Sequence, residues 1–309
     1  ASASVLAVDA AGTSAVEVLR GTDGNWPALL GVAGVAVFSV PQPDGSTRLV
    51  ASDGTVAGTA QIATLTATAS GFPAAAINSA LTMGGKVYFG AGGNLWETNG
   101  TSAGTHVSVT LPPSTGSDPY LHAFGPLGSR FVFSRLDGDV EQLWVSDGTG
   151  PGTLLLATFG ADQDPRYLQD VINTGNGLMV FTVRDFTNGN GNGQLWRTDG
   201  TAAGTVRINS APDLEVFDML RPLRGGLGGA VFQGITSAYG REPWVTDGTD
   251  AGTRLLRDLT PGPDESFLLL ADAGAGAFVT KAVNSHDVWY TDGTPGGTWS
   301  LSATDRRVA

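Results

Sequence analysis

At 309 residues the chain is longer than a typical domain of roughly 100–200, a length that all-β barrels and propellers reach as one unit. Its 45 glycines, about twice the usual ~7% share, together with 15% charged and 41% hydrophobic residues, call for many tight turns around a real core and exclude a disordered chain. A net charge of −12 from 29 acids and 17 bases leaves no basic stripe for nucleic acid or anionic membrane, and the absence of cysteine excludes disulfides, thiolate catalysis and cysteine metal sites.

The chain begins Ala1-Ser2-Ala3-Ser4 without an initiator methionine, which reads as a processed mature chain or an excised segment and fits a secreted or cell-surface location. No apolar run reaches the roughly 18 residues of a membrane-spanning helix. The first elements are two strands, 5–9 and 15–19, around the string VLAVDAAGT. A related string then recurs along the chain: LVASDGTVAGT at 49–59, LWETNGTSAGT at 95–105, LWVSDGTGPGT at 143–153, LWRTDGTAAGT at 195–205, PWVTDGTDAGT at 243–253 and VWYTDGTPGGT at 288–298. Anchored on its acidic position, the repeat falls at Asp9, Asp53, Asn99, Asp147, Asp199, Asp247 and Asp292, with spacings of 44, 46, 48, 52, 48 and 45 residues. A fixed period of about 20–50 residues marks solenoids, propellers or arrays.

Within each repeat the residues read as strands. A β-branched or aromatic run precedes each full motif, at 35–38, 87–89, 131–133, 179–181, 230–232 and 278–279, and another extended apolar stretch, such as 76–81 or 267–270, precedes that run. The motif supplies a third strand ending at the acid and a fourth beginning at its second Gly-Thr, for example 105–111 or 152–158. Four short strands in about 45–50 residues is the unit of a propeller blade. The expected fold is therefore an all-β propeller over 1–309 as a single domain, with six complete four-stranded antiparallel blades and an N-terminal hairpin. That hairpin is either an addition to a six-bladed ring, part of a seventh blade, or the closure of an array cut from a longer parent.

In the motif the acid can accept backbone amides two or three residues on, and the glycine after it can enter the left-handed region. Thr55, Thr101, Thr149, Thr201, Thr249 and Thr294 add a hydroxyl across each loop, and Gly58, Gly104, Gly152, Gly204, Gly252 and Gly297 turn the chain back. Trp96, Trp144, Trp196, Trp244 and Trp289 stand three residues before the acid, where Leu6 and Val50 replace them in the two weaker copies, so the position reads as packing between blades.

The LW-x-x-DGT-x-x-GT string, followed in one copy by Leu255-Leu256-Arg257-Asp258-Leu259-Thr260-Pro261-Gly262, resembles the ELWxxDGT repeat of large secreted or surface-associated bacterial proteins. The leading Glu occurs only as Glu242, before Pro243, and the first two copies lack the tryptophan. The resemblance implies repeat architecture and export, and no reaction.

Catalytic signals are sparse. His106, His122 and His286 lie in different repeats, and no HExxH helix, GxSxG elbow or P-loop occurs. A sialidase pattern would place an aromatic after the turn glycine, where this motif has Thr or Gly. Calcium, the one cofactor suggested, would have Asp137, Asp139 and Glu141, or Asp162 and Asp164, as ligands, although neither cluster makes a full loop. Variation among the copies concentrates between second and third strands, at 41–47, 90–94, 136–141 and 184–194. There the Asn188, Asn190 and Asn192 run, with Arg221, Arg224, Tyr239 and Arg241 of the fifth unit, gives the candidate ligand-binding residues. These features lead to a noncatalytic extracellular module that binds a glycan or a protein. The alternatives are a carbohydrate-active hydrolase or lyase using carboxylates in a central channel, and a structural spacer in a larger surface protein.

Overall fold

The structure is a computed structural model and describes residues 3–8, 15–21, 29–32, 34–66, 77, 79–113, 120–160, 166–185, 193–223, 228–262, 268–273, 276–281 and 288–301. The described residues form strands and turns with no helix. β1 (Ala3–Val8) and β2 (Ala15–Gly21) make a two-stranded sheet. A four-stranded sheet follows from β3 (Leu29–Val32), β4 (Val35–Pro41), β5 (Thr47–Ser52) and β6 (Thr59–Leu65). The next holds β7 (Ala80–Met83), β8 (Lys86–Ala91), β9 (Asn94–Thr98) and β10 (His106–Val109). The third contains β11 (Tyr120–Leu127), β12 (Arg130–Asp137), β13 (Val140–Ser146) and β14 (Leu154–Phe159).

Beyond these come β15 (Arg166–Asn173), β16 (Met179–Asp185), β17 (Gly193–Thr198) and β18 (Val206–Arg207), then β19 (Glu215–Pro222), β20 (Ala230–Thr236), β21 (Gly240–Thr246) and β22 (Arg254–Leu255). These two quartets are one eight-stranded sheet rather than the two separate blades expected, because β17 also pairs with β19 through Gly193 and Val216. The last sheet is β23 (Leu268–Ala273), β24 (Gly276–Lys281), β25 (Val288–Thr291) and β26 (Trp299–Ser300). Among the described residues all pairings are antiparallel and, apart from β17 with β19, join chain neighbours, as short hairpin connections dictate. No sheet closes on itself among the described residues.

The chain divides into two compact units, one of Ala1–Pro126 with Arg130–Leu155, the other of Leu127–Ser129 with Leu156–Ala309. In the first unit, Val37 and Leu49 of one sheet share a cluster with Val87 and Phe89 of the next, and Tyr88 and Leu95 on the opposite face of that second sheet pack with Phe131, Phe133 and Trp144. In the second unit, Val180 and Leu195 meet Phe232 and Trp244, while Val231 and Val245 meet Trp289. The alternation of strand residues builds this pattern, since neighbours such as Tyr88 and Phe89 point to opposite faces. The register adds to it: each motif tryptophan stands directly across from an apolar residue of the preceding strand, as in Phe89 with Trp96, Phe133 with Trp144, Phe181 with Trp196 and Phe232 with Trp244.

The motif turn is a closed hydrogen-bond circuit. In the third sheet Asp147 Oδ1 accepts from Thr149 N at 2.8 Å and Thr149 Oγ1 at 2.7 Å, and Thr149 Oγ1 accepts from Gly152 N at 3.1 Å. Thr153 Oγ1 donates to Thr149 O at 2.6 Å, so its 2.7 Å contact with Ser146 must take the Ser146 proton, and Ser146 Oγ in turn accepts from Gly148 N at 2.9 Å. The same Ser/Thr pair recurs as Ser52–Thr59, Thr98–Thr105, Thr198–Thr205, Thr246–Thr253 and Thr291–Thr298. The two glycines act differently. Gly148 has φ of 89°. Gly152 instead leaves room for the acid, because a Cβ there would fall 2.1 Å from Asp147 Oδ1.

Candidate functional site

The fold places an enclosed polar group in the third sheet. His122 on β11, Ser134 on β12 and Glu141 on β13 come together across three adjacent strands. Ser134 Oγ lies 3.0 Å from His122 Nδ1 and donates to the His122 carbonyl oxygen at 3.2 Å. His122 Nε2 lies 3.0 Å from Glu141 Oε1, in ion-pair range though off the line of a directed hydrogen bond. Ser134 and the Glu141 side chain are fully buried, whereas the imidazole keeps 19% of its surface exposed. A carboxyl group withdrawn this far from water needs a polar neighbour, and the imidazole is the one the fold sets beside it. A hydroxyl, an imidazole and an acid thus stand side by side in sequence, in contact without a directed hydrogen bond between the last two. The covered Ser134 hydroxyl cannot act as a nucleophile on an external substrate, which leaves acid–base work at the ring.

The opposite face of the same strands carries a second polar pair. β12 and β13 pair Leu136 with Glu141 and Asp137 with Val140, so Asp137 and Glu141 point to opposite sides of the sheet. The buried Arg135 has Nη2 3.7 Å from Asp137 Oδ2 and donates from Nη2 to Pro112 O at 2.9 Å. Burial lowers the Arg135 pKa and Asp137 opposes the shift. Asp137 and Glu141 thus do not share one calcium site, Asp162 and Asp164 lie outside the described residues, and no group of three or more His, Asp or Glu among the described residues is placed to hold a metal.

Of the ligand residues named from the loops, three are described: Tyr239 and Arg241 lie together at one end of a hairpin, and Arg221 lies at the other. Asn188, Asn190, Asn192 and Arg224 lie outside the described residues. Arg221 pairs with Val231 and Arg241 with Ile235, about 13 Å apart along β20, so they occupy opposite ends of the sheet. The guanidinium of Arg241 sits 3.3 Å over the Phe217 ring and is nearly buried. Tyr239, at the β20–β21 hairpin, is 40% exposed. His122 and Glu141 were visible in the sequence only as a scattered histidine and a member of an acidic cluster. Ser134 carried no signal at all, since the strand register alone brings the three together.

No protein-family model matches the chain, and no curated protein does. Solved structures similar to it include oligopeptidase B from Leishmania major, at a TM-score of 0.51 and 7% identity over 89% of this chain and 40% of that one. Prolyl oligopeptidase B from Galerina marginata matches at 0.50 and 10% identity over 89% and 41%, and a puromycin hydrolase at 0.49 and 11% over 90% and 47%. The chain spans less than half the length of these structures. Identity this low speaks of fold: the chain shares the β-propeller-like all-β arrangement of peptidase propeller domains. This corrects the leading expectation of a noncatalytic binding or adhesion module, because the matching folds are those of enzymes.

Proposed function

We propose that the chain is a carbohydrate-active enzyme of hydrolase or lyase type, in which His122 backed by Glu141 is the acid–base group. The observation that carries this reading is the Ser134–His122–Glu141 group, with its buried carboxyl and partly exposed ring. Glycan cleavage by either route needs a proton delivered or withdrawn at carbon or oxygen, and an imidazole held by a carboxylate does this near neutral pH. The net charge of −12 favours uncharged glycans over polyuronates. In the same reading the four-stranded sheets are blades of a six-bladed ring with the β1–β2 hairpin as an incomplete seventh, and the chain is an exported member of the ELWxxDGT repeat proteins. The recurrence of the turn circuit at a nearly constant period supports both.

The test is a panel of neutral glycans and polyuronates, read for new reducing ends and for unsaturated sugar. Reducing ends identify a hydrolase, and ultraviolet-absorbing product identifies a lyase. Turnover lost in Glu141→Gln and retained in Asp139→Asn supports the assignment, and a folded wild-type chain that turns over no member of the panel refutes it.

A further inference from the structure

In the second unit a cavity of about 170 Å³ lies between the motif turn that joins β21 to β22 and the next such turn, at Gly293. Register explains which side chains reach it. Val245 stands directly across from Arg254, and cross-strand partners share one face of a hairpin, so the valine and the arginine point the same way. Val245 clusters with Leu223, and these two buried side chains give the cavity an apolar wall. Arg254 stays exposed and stretches across to the next turn, where Nη2 donates to the Gly293 carbonyl oxygen at 3.3 Å.

Asp247 lines the same cavity. Its Oδ1 already accepts from Thr249 N at 2.8 Å and Thr249 Oγ1 at 2.7 Å, so Oδ2 is the oxygen left to accept. The guanidinium likewise commits Nη2 to Gly293 and keeps Nη1 and Nε to donate. Although they share a cavity, the acid and the guanidinium are in none of the ion pairs among the described residues. The acid is common to the repeats, but the arginine is not: Ala60, His106, Leu154, Val206 and Trp299 stand in its place in the other full copies.

We propose that this cavity binds a free α-amino acid with a small aliphatic side chain. Arg254 takes the carboxylate, Asp247 Oδ2 takes the ammonium, and Leu223 and Val245 take the side chain. A zwitterion supplies a counter-charge to each of two charges that do not pair with one another. A neutral sugar would leave both uncompensated and would turn hydroxyls toward the apolar wall. The volume sets the size, because pockets for drug-sized ligands run to roughly 300–1,000 Å³ and this one has room for a single residue. The site is separate from His122 and Glu141 and does not depend on their acid–base reading.

The experiment is calorimetric titration of the full chain with L-valine, and with valinamide, N-acetylvaline and glucose as contrasts. One molecule of L-valine should bind per chain, and valinamide and N-acetylvaline, which each lack one charge, should bind about tenfold or more weakly, as loss of a charge-assisted hydrogen bond implies. Arg254→Leu and Asp247→Asn should weaken L-valine by a similar factor. Both replacements have precedent in the repeat, at Leu154 and Asn99, and melting temperatures establish that each variant folds. If one of them does not, the other decides. No L-valine binding up to about 10 mM, above the millimolar range open to so few contacts, would overturn the proposal. So would unchanged binding in a folded variant, or binding of glucose or either valine derivative as tight as that of L-valine. The titration uses no glycan substrate, so its outcome and that of the turnover assay are read separately.

Discussion

Gly148 in the motif turn of the third sheet rests against the ring of Tyr88 in the second, so closely that a Cβ on Gly148 would come within 2.6 Å of the tyrosine hydroxyl. The same relationship holds between Gly100 and Val35, Gly248 and Leu178, and Gly293 and Leu223. The repeated glycine therefore answers two demands at once: a left-handed backbone in its own turn and direct seating of that turn on the preceding repeat. Gly148→Ala meets both obstacles and should destabilise by about 1–3 kcal/mol. Denaturant titration checks it, and Tyr88→Phe in the same background should recover part of the loss by removing the nearest atom.

Gly152 is constrained by the acid rather than by its dihedral. Gly152→Ala drives a methyl into the Asp147 carboxylate, whereas in an Asp147→Ala background the space is open. A double-mutant cycle should give a coupling of at least about 0.5 kcal/mol, with the double variant less destabilised than the sum of the singles. Simple additivity would show that the acid and the glycine do not share space.

Three turn acids, Asp53, Asp147 and Asp199, are exposed, and their hydrogen bonds to threonine contribute to the pH dependence. The backbone amide and hydroxyl of Thr55 hold the Asp53 carboxyl below its usual range, and the hydroxyls of Thr149 and Thr201 lead in doing so for Asp147 and Asp199. A folded-state value below the unfolded one means that this stabilisation is complete above the unfolded carboxylate pKa of about 4 and is lost as pH falls through the lower folded value. Asn99 makes the same two acceptor bonds, from Thr101 N at 3.1 Å and Thr101 Oγ1 at 2.7 Å, without a charge. Asp147→Asn should thus be close to neutral near pH 7 and flatten the acid limb of stability, while Asp147→Ala should cost about 0.5–2 kcal/mol by analogy with loss of a helix cap. Melting curves between pH 2 and pH 7, the range that brackets carboxylate titration, distinguish these outcomes.

Much of this was readable from the repeat. The string DGT-x-x-GT specifies a turn through its acid, its first glycine and its first threonine, and the alternation of Phe and Trp around it specifies strands. The residue before the acid is Ser or Thr in all six full copies, yet its part in the circuit was not legible, because a strand-end hydroxyl has many ordinary uses and only the 2.6–2.8 Å contacts with the second threonine reveal it. The polar group of the third sheet was hidden for a different reason. His122, Ser134 and Glu141 lie on three successive strands and meet only through their register, which hydrophobic pattern sets and no local motif records. Conversely, arginine density suggested a site in the fifth unit where register holds Arg221 and Arg241 apart.

Glu242 is the one glutamate in the leading position of the motif, and it is fully buried. Its two oxygens accept from Leu259 N at 2.9 Å and Thr260 N at 2.8 Å, where the chain leaves β22. Asn94 does the same for Leu111 N at 3.1 Å in the second sheet. Glu242→Ala would remove the carboxylate acceptor of these two part-buried backbone donors and should cost about 1–2 kcal/mol. Glu242→Gln, which keeps one acceptor, should cost less, and hydrogen exchange at Leu259 and Thr260 should report the loss directly.

The central claim is that this fold carries an acid–base site at His122 and Glu141. The most direct test is kcat/KM of wild type and His122→Ala on the glycan that the wild type cleaves fastest, with the melting temperature of both measured alongside. The account predicts a loss of about 10²–10⁴-fold with the fold intact. Equal kcat/KM in the two proteins would contradict it.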